Sequence, residues 1–256
     1  SLLGARLLSR VYSISGEKEL IEEAKKAVNF ACGYQKENGA WSYGTLPFHH
    51  WIDNFHTGYN LECLSDYARY SGDHSFDSYM EKGFDYYINT FFTDEGISKY
   101  YNNSTFPVDI HAPTQLLITL DKLGQFDKHK EMAVKVMQWT IANMQSPKGY
   151  FYYQINKHFT SRIPYMRWAQ AWMFLSFTVL FKKESSFYNK KHRASTLTGF
   201  AGEIISGINL NVKKFTSTLI GSPIDFSSFN FFLQQKTLLI GCLDSLKRGT
   251  SKDKFY

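Results

Sequence analysis

Three segments of the chain, "ENGAWSYG", "DEGISKYY" and "PKGYFYYQ", align on Gly39, Gly96 and Gly149, and each glycine is followed four residues later by a tyrosine, Tyr43, Tyr100 or Tyr153. A period of about 55 residues limits the fold sharply, because a short repeated unit must bury its apolar face against its neighbours. Before each glycine the apolar residues fall at helical spacing, as in Leu20, Ala24, Ala27, Val28 and Ala31, or Met132, Val136, Met137 and Met144. This predicts an outer helix ended by the glycine as its C′ cap. After a long aromatic connection comes a second, more apolar helix, in "WIDNFHTGYNLECLSDYARYSGD", "PVDIHAPTQLLITLDKLGQF" and "PYMRWAQAWMFLSFTVLF". These align without gaps. Asp53, Asp109 and Met166 become equivalent, as do Phe55, His111 and Trp168, and Thr57, Pro113 and Gln170. The opening "LLSRVYSISGEKEL" matches "CLSDYARYSGDHSF" around Gly16 and Gly72, so the sequence starts inside an inner helix of an earlier unit.

The expected fold class is therefore all-α, with one partial and three substantial helical hairpins. Open solenoid repeats are usually shorter, about 34 to 47 residues, with short turns between helices. Here Tyr- and Trp-rich connections lead into every inner helix, which places aromatic loops and inner-helix starts on one rim, over a cavity. A closed α/α barrel fits this pattern better than a solenoid. The domain reading is hairpins over 1–182 and a divergent segment of uncertain fold over 183–256, which lacks the repeat and is rich in Ser, Thr, Asn and Gly.

A formal charge of +6 invites a nucleic-acid reading, but about five of the six charges lie in 184–256, so the hairpins are not a basic platform. The run "KKHR" at 190–193 reads as a solvated surface, and no nucleic-acid partner is expected. Cys32, Cys63 and Cys242 lie far apart with no CxxC spacing, which predicts buried thiols in place of a disulfide framework. No apolar run reaches the roughly 18 residues of a membrane span. No signal peptide is visible, which favours the cytoplasm slightly, although the chain reads as truncated at its N-terminus and the compartment stays open. The oligomeric state is not legible.

"GAWSYG", "WIDNFHTGYNLECL", "GYFYYQ" and "IPYMRWAQAWM" together resemble the (α/α)6 toroid proteins of the six-hairpin glycosidase type over roughly residues 1–182. More narrowly, they resemble a family encoded in surface-polysaccharide gene clusters, the polysaccharide biosynthesis proteins of the VpsJ type. A complete toroid has twelve helices and about seven are legible here, so the resemblance implies an incomplete (α/α)6 toroid. It further implies a carbohydrate-active protein of surface or capsular polysaccharide metabolism, a glycosidase-like hydrolase using rim carboxylates on an oligosaccharide or polysaccharide. A lyase, a sugar epimerase and a non-catalytic glycan-binding or assembly scaffold are the alternatives. No cofactor is implied. A terpenoid-cyclase-like toroid is disfavoured, because no DDxx(D/E) or DxDD acid cluster occurs.

Asp53 and His56 are three residues apart at the start of an inner helix and share a face. The resemblance makes Asp53 a candidate general acid or base with His56 as its partner, while an N-cap is the competing reading. Asp109 holds the equivalent place one hairpin on, with His111 beside it, and is open to the same two readings. His49, His50, His56 and His111 lack any known metal-ligand spacing, so no metal is expected and the loop histidines are read as hydrogen-bonding or sugar-binding groups. Trp41, Tyr43, His49, His50, Trp51, Tyr59, His111, Tyr153, Arg167, Trp168 and Gln170 complete the candidate site. Arg167 suits a sugar carboxylate held bidentately, and the aromatic rings suit stacking on sugars. A shared rim for Tyr43, His50, Trp51, Asp53, His56, Asp109, His111, Tyr153 and Arg167 is the consequence of this register.

Overall fold

A computed structural model describes the backbone of residues 1–192 and the side chains of residues 1–183. The divergent segment 183–256, with Cys242, lies outside the described residues except where the last helix enters it. Seven α-helices follow in order: α1 Leu2–Ser15, α2 Lys18–Gly33, α3 Asn54–Ser71, α4 Asp77–Phe91, α5 His111–Lys122, α6 Lys130–Met144 and α7 Trp172–His192. Three short strands, β1 Val108–Asp109, β2 Gln154–Ile155 and β3 Thr160–Ser161, form an antiparallel sheet in the order β1-β2-β3. Helices α1, α3, α5 and α7 pack side by side as an inner row, and α2, α4 and α6 pack against α1, α3 and α5 from outside. Burial sets α3 and α5 apart from the outer helices, although inner α1 has three buried residues. Ten residues of α3 are buried against three of α2, although the two helices are of similar length.

Local signals explain the boundaries. Asp53 caps α3 by accepting a hydrogen bond from the His56 backbone N–H, and Gly72 ends it at φ 73°. Gly16 ends α1 in the same left-handed conformation, at φ 76°. The α5 helix carries Pro113 in its first turn, where the missing N–H leaves no intrahelical bond unmade. The last inner helix opens with a π-helical turn, Met166–Ala171, before α7.

The repeated glycines are not the helix caps expected from the periodicity. The outer helices stop at Gly33, Phe91 and Met144, and Gly39 and Gly96 lie a few residues beyond, in tight turns where their N–H groups bond Lys36 O and Thr93 O. Both turns press on the next outer helix. A Cβ on Gly39 would stand 2.2 Å from the Lys82 carbonyl oxygen in α4, and one on Gly96 would stand 2.7 Å from the Lys135 carbonyl oxygen in α6. A glycine is therefore needed twice over, for φ near 90° and for close backbone approach.

The units are joined at the starts of the inner helices. Asn54 N–H donates to Tyr100 O over 2.9 Å, and Ile110 N–H donates to Tyr153 O over 3.0 Å, so equivalent positions of successive units make the same bond. Lower down, a buried polar network links three inner helices. Arg6 of α1 pairs with Asp66 at 2.7 Å and with Glu62 at 3.8 Å in α3; Lys122 of α5 reaches both Asp66 oxygens at 3.1 Å; Gln115 and Thr119 of α5 donate to Glu62. Burial holds the Glu62 carboxyl above the usual range, offset by Arg6 and these hydrogen bonds. Cys32 and Cys63 are buried free thiols pushed up to about 11 and about 12 by desolvation, which makes them poor nucleophiles. Among the described residues no helix is long and apolar enough to cross a membrane.

Gly96→Ala should destabilise the protein more than Gly72→Ala, because both residues have positive φ but only Gly96 touches a neighbouring backbone. The strain common to both costs about 1 kcal/mol, and the clash should add about 1–3 kcal/mol to Gly96→Ala alone. Equal losses in urea unfolding would remove the inter-unit contact as the reason for the glycine.

Candidate functional site at the inner-helix rim

The repeat register sends the connections before α3, α5 and α7 to one end of the inner row. Asp53 precedes α3 by one residue and its side chain is 1% exposed. Its Oδ2 accepts two hydrogen bonds from His56, one from the backbone N–H at 3.1 Å and one from the ring Nδ1 at 2.8 Å. One oxygen thus makes both the helix-cap contact and the contact with the His56 ring. The His56 side chain remains 39% exposed. Tyr43 meets it edge-on at 4.8 Å, and Phe55, Tyr59 and Trp51 surround it at 4.9, 5.8 and 6.1 Å. A carboxylate fixed on Nδ1 leaves Nε2 as the ring atom available for proton exchange, provided Nδ1 carries the proton.

Asp109 is buried in the sheet at the start of the next inner helix. Its Oδ1 accepts from His111 N–H at 2.9 Å, its Oδ2 accepts from Gln154 Nε2 at 3.0 Å, and the Tyr153 hydroxyl bonds the same carboxylate. Burial nevertheless raises its pKa from the ordinary 3.8 to about 6, the hydrogen bonds only partly offsetting the desolvation. His111 is pushed the other way, to about 4, by burial first and by the charge of His56 second. Its Nε2 shares a 2.9 Å hydrogen bond with the Tyr59 hydroxyl.

Rings connect the units. Phe55 stacks on His111 at 4.8 Å and 8°, and His111 meets Trp172 at 4.4 Å and Trp168 at 6.2 Å. Phe55, His111 and Trp168 are the equivalent positions of three successive inner helices, so the repeat itself lays them in a row. Tyr43 stacks on Trp51 at 4.1 Å and 13°, and Trp51 meets Tyr101 of the next connection at 6.0 Å. Through these contacts Tyr43, Trp51, His56, Tyr59, His111 and Trp168 are brought into one aromatic cluster.

Other candidates are placed differently. Trp41 is 5% exposed, donates from Nε1 to Ala31 O, and packs where a Cβ on Gly83 would stand 2.4 Å from its ring; it belongs to the packing between α2 and α4, not to the rim surface. Gln170 is 2% exposed and clamps Phe151, accepting from its N–H and donating to its carbonyl, so it too is a packing residue. His49 packs on Tyr43 and Phe48, and His50 donates from Nε2 to Thr45 O, which places both in loop packing. Arg167 is exposed, with its guanidinium carbon 4.8 Å from the Trp168 ring centre, and Tyr153 lies beside Asp109. Phe55, Tyr101, Trp172 and Gln154 were not singled out as site residues in the sequence, although the register already made Phe55 the counterpart of His111.

The chain folds as an incomplete (α/α)6 toroid. Solved toroids share its arrangement: cellobiose 2-epimerase from Bacillus thermoamylovorans B4167 aligns with a TM-score of 0.59 at 14% identity, covering 85% of this chain and 56% of that one. An unsaturated glucuronyl hydrolase specific for heparin aligns with a TM-score of 0.57 at 17% identity, covering 86% of this chain and 55% of that one. The chain thus spans a little over half the length of these two toroids. No protein-family model and no curated protein matches the sequence.

The opposed shifts of Asp109 and His111 give a signed expectation. A carboxyl raised from 3.8 to about 6 binds its proton more tightly in the folded state, so its contribution to stability is complete below pH 4 and is lost as pH rises through 6. Asp109→Asn should therefore gain stability relative to the parent chain by roughly 2 kcal/mol between pH 4 and pH 6.5. His111→Gln should move oppositely, because a histidine lowered to about 4 favours folding increasingly as pH rises over the same window. Urea unfolding at the two pH values measures both, and a difference between Asp109→Asn and parent that is flat with pH would refute the buried-carboxyl assignment.

Proposed function

We propose that the rim is a carbohydrate-processing site in which His56, held by buried Asp53, transfers a proton to or from a sugar seated on the surrounding rings. The 2.8 Å contact from His56 Nδ1 to Asp53 Oδ2 carries this reading, because it joins an inaccessible carboxylate to an accessible imidazole inside an aromatic cluster. Tyr43, Trp51 and Trp168 supply flat, partly exposed faces of the kind on which sugar rings stack. The fold is shared with an enzyme named for epimerising cellobiose and with one named for hydrolysing unsaturated glucuronyl groups, which supports a saccharide substrate. The likeness of "WIDNFHTGYNLECL" and its companion motifs to the VpsJ-type family supports glycans of surface or capsular polysaccharides.

Proton transfer at His56 suits epimerisation or elimination, since both begin by removing a proton from carbon and require a positioned base. Glycoside hydrolysis is the second reading. It is favoured by Asp109, whose carboxyl is held near pH 6 and would be partly protonated under mildly acidic conditions, as a general acid requires. Neither Asp53 nor Asp109 is open to solvent, and both carry hydrogen bonds from their own helix starts, which ranks His56 ahead of them as the group meeting substrate. A binding or assembly scaffold would use the same rings without turnover.

Turnover of capsule-type oligosaccharides by the intact gene product should fall about 10²–10⁴-fold in His56→Gln and Asp53→Asn, while oligosaccharide binding persists. Asn is a competent N-cap, so Asp53→Asn tests the imidazole contact with little cost to α3. Product analysis separates the chemistries: a new stereoisomer marks epimerisation, an unsaturated sugar marks elimination and a new reducing end marks hydrolysis. Unchanged turnover in both variants would remove the dyad from the mechanism, and binding without turnover in the parent would favour the scaffold.

A further inference from the structure

The part of the rim contributed by the last connection differs in charge from the rest. Between Glu131 and Glu184 the sequence contains no aspartate or glutamate, yet it contains Lys157, Arg162 and Arg167 on the connection and the first turn of the inner helix. All three are exposed. Among the inner helices, cations are paired with carboxylates: Arg6 with Asp66 and Glu62, Lys122 with Asp66, and Lys183 with Asp121. Arg162 and Arg167 have no ion-pair partner among the described residues. Asp109, the carboxylate of this neighbourhood, is already engaged by His111 N–H, Gln154 and Tyr153.

Both arginines are positioned by aromatic rings. The Arg162 guanidinium carbon lies 5.5 Å from the Tyr152 ring centre, and that of Arg167 lies 4.8 Å from the Trp168 ring centre. A guanidinium resting on a ring is held without consuming its N–H donors, which remain free to meet a planar oxyanion. Trp168 itself lies 6.2 Å from His111 in the aromatic row, so Arg167 adjoins the rings assigned to saccharide stacking, while Arg162 directly follows β3 in the sheet that holds Asp109.

We propose that this segment makes the rim selective for acidic saccharides, with Arg162 and Arg167 binding a sugar carboxylate or sulfate beside the aromatic row. The inference rests on the carbohydrate reading of the rim and adds the substrate class. Lys157 contributes long-range attraction, which is sensitive to salt, whereas the ring-supported arginines contribute the short-range contacts.

An array of size-matched acidic and neutral capsule-type oligosaccharides, probed with the full chain, tests the proposal. Acidic glycans should bind about tenfold more tightly than neutral ones at low salt, and the preference should shrink as salt rises. Arg162→Gln with Arg167→Gln should abolish the preference while the far-UV circular dichroism and the thermal midpoint stay those of the parent. If the pair unfolds the protein, each single variant should lose about threefold. Equal binding of both glycan classes, or a preference that survives in the folded double variant, overturns the acidic selectivity and leaves the saccharide site standing. Competition by polyglutamate as effective as that by acidic glycans reduces the segment to a general anion patch and also overturns the proposal. Binding to no glycan on the array overturns the rim reading and this inference together.

Discussion

Two backbone hydrogen bonds carry much of the organisation of this protein: Asn54 N–H to Tyr100 O, and Ile110 N–H to Tyr153 O. Each takes one of the orphan donors at the start of an inner helix and satisfies it on the aromatic connection of the following unit. The start of each inner helix is thereby fixed against its neighbour's loop. Asp53 caps α3 and Asp109 accepts the His111 N–H beside these bonds, so His56, Tyr59 and His111 emerge on the same rim. A loop free of its neighbour would leave these side chains without a common origin.

Below the rim the inner helices are held by charge as well as by apolar packing. Buried ion pairs contribute little net stability, because desolvation offsets much of the attraction, but breaking one side leaves an uncompensated charge in the interior. The Arg6, Glu62, Asp66 and Lys122 network joins α1, α3 and α5 in one register, with Gln115 and Thr119 completing the hydrogen bonds of Glu62. The close approach of α3 to α5 has a steric counterpart at Gly58, where a Cβ would stand 2.6 Å from the Gln115 side chain.

The electrostatics of the rim follow from burial. Desolvation moves Asp109 up to about 6 and His111 down to about 4, so both neutral forms are favoured in the same interior. His56 is the partly exposed member of this group and is the one whose ring is tied to a buried carboxylate. That asymmetry between a buried carboxyl and an accessible imidazole is the chemical ground on which proton transfer is proposed at His56.

The sequence by itself determined the all-α class, the approximate starts of the inner helices and the equivalence of Phe55, His111 and Trp168, because a repeat with helical apolar spacing admits few arrangements. It did not determine why Gly39 and Gly96 are glycine: the periodicity suggested helix caps, whereas contact with Lys82 and Lys135 of the following outer helices requires a missing side chain. Nor did it separate Trp41 and Gln170, which turn into the packing, from Trp51 and Trp168, which remain at the rim. Aromatic and polar residues in a connection carry no local mark of the direction they face. That direction was decided only when neighbouring units packed together, where burial of each ring and pairing of each polar group could be satisfied at once.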